Sequence, residues 1–200
     1  ARCSPMAEQL TNAQGQTLLD LARATLIKKL GGDQSRIPED LDERLKDPVF
    51  DQKQGTFVTL HIHGQLRGCI GSLTGDEPLR DNIRNNAINA ALHDPRFPPL
   101  TSRELAEIDI EISVLSSPQP FRYSSPQDLV NRLRPGVDGL ILKKGMAQST
   151  FLPQVWEQLP QPEAFLSNLC LKAGLPQEAW QQGDVEIMTY QVQSFSEQGH

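Results

Sequence analysis

Near the start of the chain apolar residues recur every fourth position, at Leu18, Ala22, Leu26 and Leu30, which is the spacing of one helix face. Ahead of them Thr11-Asn12-Ala13-Gln14 has the makings of a capping box, and behind them Gly31-Gly32 supplies a left-handed exit. A helix is predicted from about Thr11 to Leu30, and a short one over Asp40 to Lys46. From Gly55 the period falls to two. Val58, Leu60 and Ile62 alternate with Thr59, His61 and His63, the mark of a half-buried strand. Gly64-Gln65 reads as a two-residue turn that returns Leu66 to Leu73 antiparallel. Helical spacing resumes after Pro78 at Leu79, Ile83, Ala87 and Ala90 and stops at His93-Asp94-Pro95.

In the second half, Ile108, Ile110, Ile112 and Val114 alternate with Asp109, Glu111 and Ser113, predicting a strand whose polar face meets water. A short helix over Gln127 to Leu133 precedes the turn residues Gly136-Val137-Asp138-Gly139 and a strand from Leu140 to Lys143. Phe165, Leu166, Leu169, Cys170 and Ala173 share one side of a predicted helix from Glu163 to Ala173, stopped by Gly174. Val185 to Phe195 reads as one last strand, with a bulge or change of buried face near Ile187. Hairpins mixed with helices, without regular strand-helix-strand alternation, argue for mainly antiparallel sheets covered by helices, the α+β class.

Composition narrows the partners. At 38% hydrophobic and 22% charged the 200 residues are globular, and 15 prolines with 14 glycines imply short elements and many turns. A net charge of −6 without a Lys/Arg stripe argues against nucleic acid. No apolar run approaches the roughly 20 residues of a membrane span, so no membrane partner is expected. Cys3, Cys69 and Cys170 are odd in number and form no C-x-x-C pair, which fits a reducing compartment, and a cytoplasmic location is expected. Residues before Met6 are set aside because the chain does not open with methionine.

The segment with most chemical promise is Leu66-Arg67-Gly68-Cys69-Ile70-Gly71. Unbroken alternation would put Arg67 and Cys69 on one face, with Leu66, Gly68 and Ile70 on the other. A guanidinium beside the thiol would favour the thiolate, and the glycines would let a ligand or another backbone come close. Cys69 and Arg67 are therefore candidate catalytic residues. Burial of Cys69 as a small apolar side chain, with the glycines at a bulge, explains the same pattern without chemistry.

Phe57-Val58-Thr59-Leu60 followed by Leu66-Arg67-Gly68-Cys69-Ile70-Gly71 resembles the AMMECR-type family, also called AmmeMemoRadiSam system protein A. The resemblance continues through Asp94-Pro95-Arg96-Phe97, Ile112-Ser113-Val114-Leu115, Gly136-Val137-Asp138-Gly139-Leu140, Phe151-Leu152-Pro153-Gln154-Val155 and Lys172-Ala173-Gly174-Leu175. It implies an α+β fold of a larger and a smaller lobe; one domain over residues 11–195, of two interleaved lobes, is expected, with ends at 1–10 and 196–200 that are poorly ordered or foreign to the natural chain. It also implies that the arginine-glycine-cysteine segment is a functional surface, and that the protein works with a Memo-like protein and a radical S-adenosylmethionine protein in a small-molecule or modification pathway. Ile62-His63 departs from the pattern, which does not ask for histidine there.

Other residues join the candidate surface. His61 and His63 would share a strand face and offer two imidazoles to a metal, with Cys69, His93 or Asp94 as the third ligand. Two ligands are not a site, and no metal or cofactor is expected. His93, Asp94, Arg96 and Phe97 leave a helix end on a Pro-rich loop, where polar side chains often reach a cleft, and His93 could serve as base to Cys69. Cys170 sits on an apolar stripe and reads as core. No phosphate-cradling glycine loop occurs. Two functions compete. In one, Cys69 is a thiolate and Arg67 holds a small anionic metabolite; in the other, the strand and the loop around Phe97 form a non-catalytic docking module.

Overall fold

A computed structural model describes residues 9–198, so Cys3 and Met6 lie outside the described residues. The chain divides into two units, one of residues 9–115 and 193–198 and one of residues 116–192.

In the first unit, helix α1 (Asn12–Leu30) opens on the expected capping box. The Gln14 N–H reaches Thr11 Oγ1, the Thr11 N–H reaches Gln14 Oε1, and Gly31 closes the helix at φ 76°. A four-residue helix, α2 (Leu41–Arg44), follows. Strands β1 (Thr56–Ile62) and β2 (Gln65–Ser72) form the hairpin, and helix α3 (Leu79–Leu92) follows it. Strand β3 (Ile108–Leu115) and the late strand β8 (Val192–Ser196) complete a four-stranded sheet of order β2-β1-β3-β8. Val58, Leu60, Ile110 and Ile112 are fully buried with Leu18, Leu26, Leu79 and Ile83 of the helices in one core. Each such side chain contributes roughly 1.5–3 kcal/mol on leaving water. The opposite face of β3 is drier than expected, since Ser113 is buried as well.

The second unit holds β4 (Gln119–Pro120), α4 (Pro126–Arg132), β5 (Gly139–Lys144), β6 (Ala147–Phe151), α5 (Pro162–Lys172) and β7 (Glu186–Tyr190). Its sheet runs β4-β7-β5-β6, with every pairing antiparallel. Leu140, Leu142, Phe165, Leu166 and Leu169 build its core, where the Trp156 and Phe165 rings stack with centroids 3.8 Å apart. Cys170 is fully buried there, as expected from its stripe. The fold is therefore α+β, two antiparallel sheets packed against helices.

Two local expectations need correction. The hairpin turn is His63-Gly64, not Gly64-Gln65, and both residues have positive φ, 51° and 77°. A two-residue turn of this hand matches the strand twist. The single strand expected over Val185 to Phe195 is two strands, β7 and β8, in different sheets. The change of phase falls at Gln191, whose N–H donates to Ser116 Oγ and whose carbonyl accepts from the Ser116 N–H. Within the ends set at 1–10 and 196–200, two described residues have partners. Leu10 is buried and its N–H donates to Gln193 Oε1, while Glu197 pairs with Arg23 and accepts from the Ile110 N–H.

Candidate functional site

Strand β2 lies at the edge of its sheet, so alternate backbone groups face away from β1 and need partners. Cys69 has both such groups supplied. Its N–H donates to Asp94 Oδ2 over 2.9 Å, and its carbonyl accepts from Arg96 Nη2 at 3.4 Å. Asp94 follows the end of α3, with its carboxylate only 2% exposed. It also accepts from the Arg96 N–H at 3.0 Å, Arg96 Nε at 3.0 Å and Arg96 Nη2 at 2.8 Å. The Arg96 guanidinium and these N–H groups hold the Asp94 carboxyl well below the usual carboxylate range. Asp94-Pro95-Arg96 is thus a cap on the sheet edge at Cys69.

The Cys69 side chain is half-buried. It stands opposite Thr59 in the hairpin register, and the Thr59 hydroxyl donates to its sulfur over 3.2 Å. Gly68, on the helix-facing side, is required by close approach: a Cβ there would lie 2.1 Å from the Ala90 carbonyl oxygen of α3. Gly71 meets the Thr56 carbonyl oxygen at the same calculated distance.

Arg67 sits at a break in the hairpin register. The register slips between Leu60, which pairs with Gly68, and His61, which pairs with Leu66, leaving Arg67 unpaired as a β-bulge. The slip carries Leu66 to the His61 face, with 41% of its surface exposed, while Gly68 and Ile70 keep the face expected for them opposite Leu60 and Val58. The Arg67 guanidinium donates through Nε and Nη2 to Glu104 at 3.0 and 3.2 Å, and its Nη1 is buried without a partner. Arg67 in turn lowers the ionisation range of Glu104, helped by the Thr101 N–H and hydroxyl. The cation bonded to Cys69 is Arg96, from the Pro-rich loop. Both guanidiniums flank the Phe97 ring, Arg67 at 6.0 Å and Arg96 at 5.5 Å from its centroid.

The histidines separate. His61 stays half-buried on β1, whereas the turn removes His63 from the strand and leaves it exposed, 3.2 Å from Glu107. The shared His-x-His face is lost, and among the described residues no group of three His, Cys, Asp or Glu side chains is placed to hold a metal. His93 ends α3 exposed, its N–H donating to the Asn89 carbonyl, and the hydrogen bond to the Cys69 sulfur comes from Thr59. The structure thus brings Cys69, Asp94, Arg96, Phe97 and Arg67 together.

Thr59 and Glu104 escaped sequence reasoning. Thr59 was readable in principle, since it falls opposite Cys69 once the hairpin is closed. Glu104 carries no local signal, because its pairing depends on a loop path. Also overlooked were Asn82 and Asn86, buried polar residues one turn apart among the apolar positions of α3.

A family model described as AMMECR1 matches residues 19–195. A protein of Methanothermobacter thermautotrophicus is 42% identical over 196 residues, spanning 95% of this chain and 97% of its own. Protein MJ0810 of Methanocaldococcus jannaschii is 37% identical over 195 residues, spanning 94% of this chain and 92% of its own. The crystal structure of the uncharacterized protein PH0010 from Pyrococcus horikoshii is similar at a TM-score of 0.76 and 32% identity, covering 94% of each chain. With the family model and these relatives extending over both units, the chain belongs to the AMMECR1 family.

Proposed function

We propose that this chain is the A component of an AmmeMemoRadiSam-type system, acting with a Memo-like protein and a radical S-adenosylmethionine protein on a small anionic metabolite. The observation that carries the reading is the capped edge at Cys69. A half-buried cysteine has its N–H, carbonyl and sulfur each held, and the guanidinium bonded to its carbonyl has 55% of its side chain exposed. Asp94 orients Arg96 while leaving part of its donor fork open, which suits a carboxylate or phosphate. The role proposed is recognition of that group beside Cys69. The role first considered for Arg67 passes to Arg96, since Arg67 is spent on Glu104.

The test is untargeted metabolite comparison of cells lacking the gene, complemented with wild type, Cys69→Ser or Arg96→Ala. The reading expects the same metabolite change in the deletion and in both variants. Restoration of the wild-type profile by both variants, at equal protein level, would remove Cys69 and Arg96 from function.

The docking alternative keeps one specific support: exposed Leu66 on an edge strand, in the segment shared with Cys69. Recovery of the Memo-like protein with wild type but not with folded Leu66→Ser or Phe97→Ala favours docking. Equal recovery counts against it.

A further inference from the structure

Arg67 and Arg96 are held alike. In each, a carboxylate takes the Nε and Nη2 side of the guanidinium, Glu104 for Arg67 and Asp94 for Arg96. Among the described residues the third nitrogen, Nη1, has no acceptor at Arg67, and at Arg96 the bonds made run through Nε and Nη2. Water can serve Arg96, whose side chain is 55% exposed. It does not reach Arg67 Nη1, which is buried on a side chain only 12% exposed. A guanidinium has donors and no acceptor, so only an acceptor can complete this wall. A buried donor left without one is rare in a folded protein and points to a group that is still to arrive.

The neighbour of that guanidinium is the half-buried Phe97 ring, its centroid 6.0 Å from Arg67 and 5.5 Å from Arg96. At 6.0 Å a ring face is at the limit of cation–π attraction and does not replace a hydrogen bond. Phe97 is also loosely tied. Its N–H reaches the Asp94 carbonyl at 3.2 Å, and the exposed Pro98 and Pro99 bring no N–H to fasten the chain before Leu100, whose N–H donates to Ala91. Rotation of the Phe97 side chain into another rotamer therefore breaks no hydrogen bond.

We propose that Phe97 is a shutter on a two-arginine oxyanion site: an entering carboxylate or phosphate displaces the ring and accepts hydrogen bonds from Arg67 Nη1 and from Arg96. The inference rests on the reading of Arg96 as the anion holder beside Cys69 and deepens it, since the ligand must supply acceptors to both guanidiniums. Charge-assisted hydrogen bonds are about twice as strong as neutral ones, so an oxyanion can displace the ring where a neutral acceptor does not.

The test is titration of the whole chain with inorganic phosphate and, separately, with acetate, followed by proton–nitrogen NMR at fixed pH and ionic strength. The proposal expects saturable shifts at the Nε–H signals of Arg67 and Arg96 and at the Phe97 amide. Phe97→Ala should bind about tenfold more tightly, the gain expected when a closed state favoured about ten to one is abolished. A loss of folded structure would not tighten binding. Arg67→Lys keeps a charge for Glu104 without a further nitrogen to present, and should cancel that gain in the Phe97→Ala background; if the double variant does not fold, the Phe97→Ala comparison decides alone. Tighter binding of phosphate than of acetate indicates a phosphorylated ligand, and the reverse a carboxylated one. Equal affinity in wild type and Phe97→Ala, a gain that survives Arg67→Lys, or no saturation of Phe97→Ala by either anion would overturn the shutter. If Arg96→Ala still abolishes binding where Phe97→Ala changes nothing, the shutter falls while the reading of Arg96 stands.

Discussion

Asp94→Ala removes one carboxylate and four hydrogen bonds from the edge of the first sheet. The Cys69 N–H loses a charged acceptor in a buried setting, worth about 1.5–3 kcal/mol. Arg96 suffers less. Its side chain is 55% exposed, so water replaces most of what it loses, and the ion pair adds no more than about 1 kcal/mol. The total is a loss of about 3 kcal/mol, a large share of the roughly 5–15 kcal/mol that typically holds a domain together. The choice of probe matters. Trp156, Trp180, Tyr123 and Tyr190, which are all the tryptophans and tyrosines of the chain, lie in residues 116–192 and report on the other unit. Far-UV circular dichroism in urea follows both units, and hydrogen exchange at the Cys69 amide reads the first. Exchange at Cys69 should accelerate by about a hundredfold, the equivalent of about 3 kcal/mol. A loss below about 1 kcal/mol with unchanged protection at Cys69 would refute the capped edge.

The acid response follows from the same carboxylate: its ionisation range is depressed in the folded state, so its contribution is complete above its ordinary value of 3.8 and is lost as pH falls below it. The stability gap between wild type and Asp94→Ala should therefore hold constant at neutral pH and narrow only in stronger acid; a gap that closes between pH 7 and 5 would contradict this. Gly68→Ala should cost about 1–3 kcal/mol by urea unfolding, because the new methyl meets the α3 backbone at Ala90; a change within about 0.5 kcal/mol would show that the helix gives way freely. Burial pushes the Tyr190 phenol up to about 12, against a partial offset from Thr150, so its share of stability is present below pH 10 and declines as pH rises from there. An absorbance titration should lose its step near pH 12 in Tyr190→Phe, and an unchanged curve would show that Tyr190 ionises elsewhere.

How far the sequence could be read depended on what each signal encodes. Strands β1 and β3 and helices α1, α3 and α5 announce themselves because one face of each is buried, and a buried face imposes its period on the residues. The bulge at Arg67 leaves no such trace. Leu66, Gly68 and Ile70 still alternate with Arg67 and Cys69, and only the pairing to β1 shows that the phase has slipped. From that one slip follows the change of face for Leu66, while the cation bonded to the Cys69 carbonyl, Arg96, is brought by the Pro-rich loop. The turn was misplaced because Gly64 supplies the positive φ, while His63 takes the same conformation without advertising it. Strand β6 escaped notice because Ala147–Phe151 buries only Ser149. Asn82 and Asn86 were visible as polar intruders in an apolar stripe, and their meaning emerged only with Thr56 beneath them.

Selective alkylation bears most directly on whether Cys69 is an addressable thiol. In a Cys3→Ser background the only cysteines are Cys69, half-buried at the sheet edge, and Cys170, fully buried with its thiol pushed up by desolvation. Native protein treated with iodoacetamide at neutral pH should take one label per chain, at Cys69, with Cys170 modified only after unfolding. Labelling of both cysteines together, and only once urea opens the fold, would contradict a presented Cys69 and leave its segment a matter of packing.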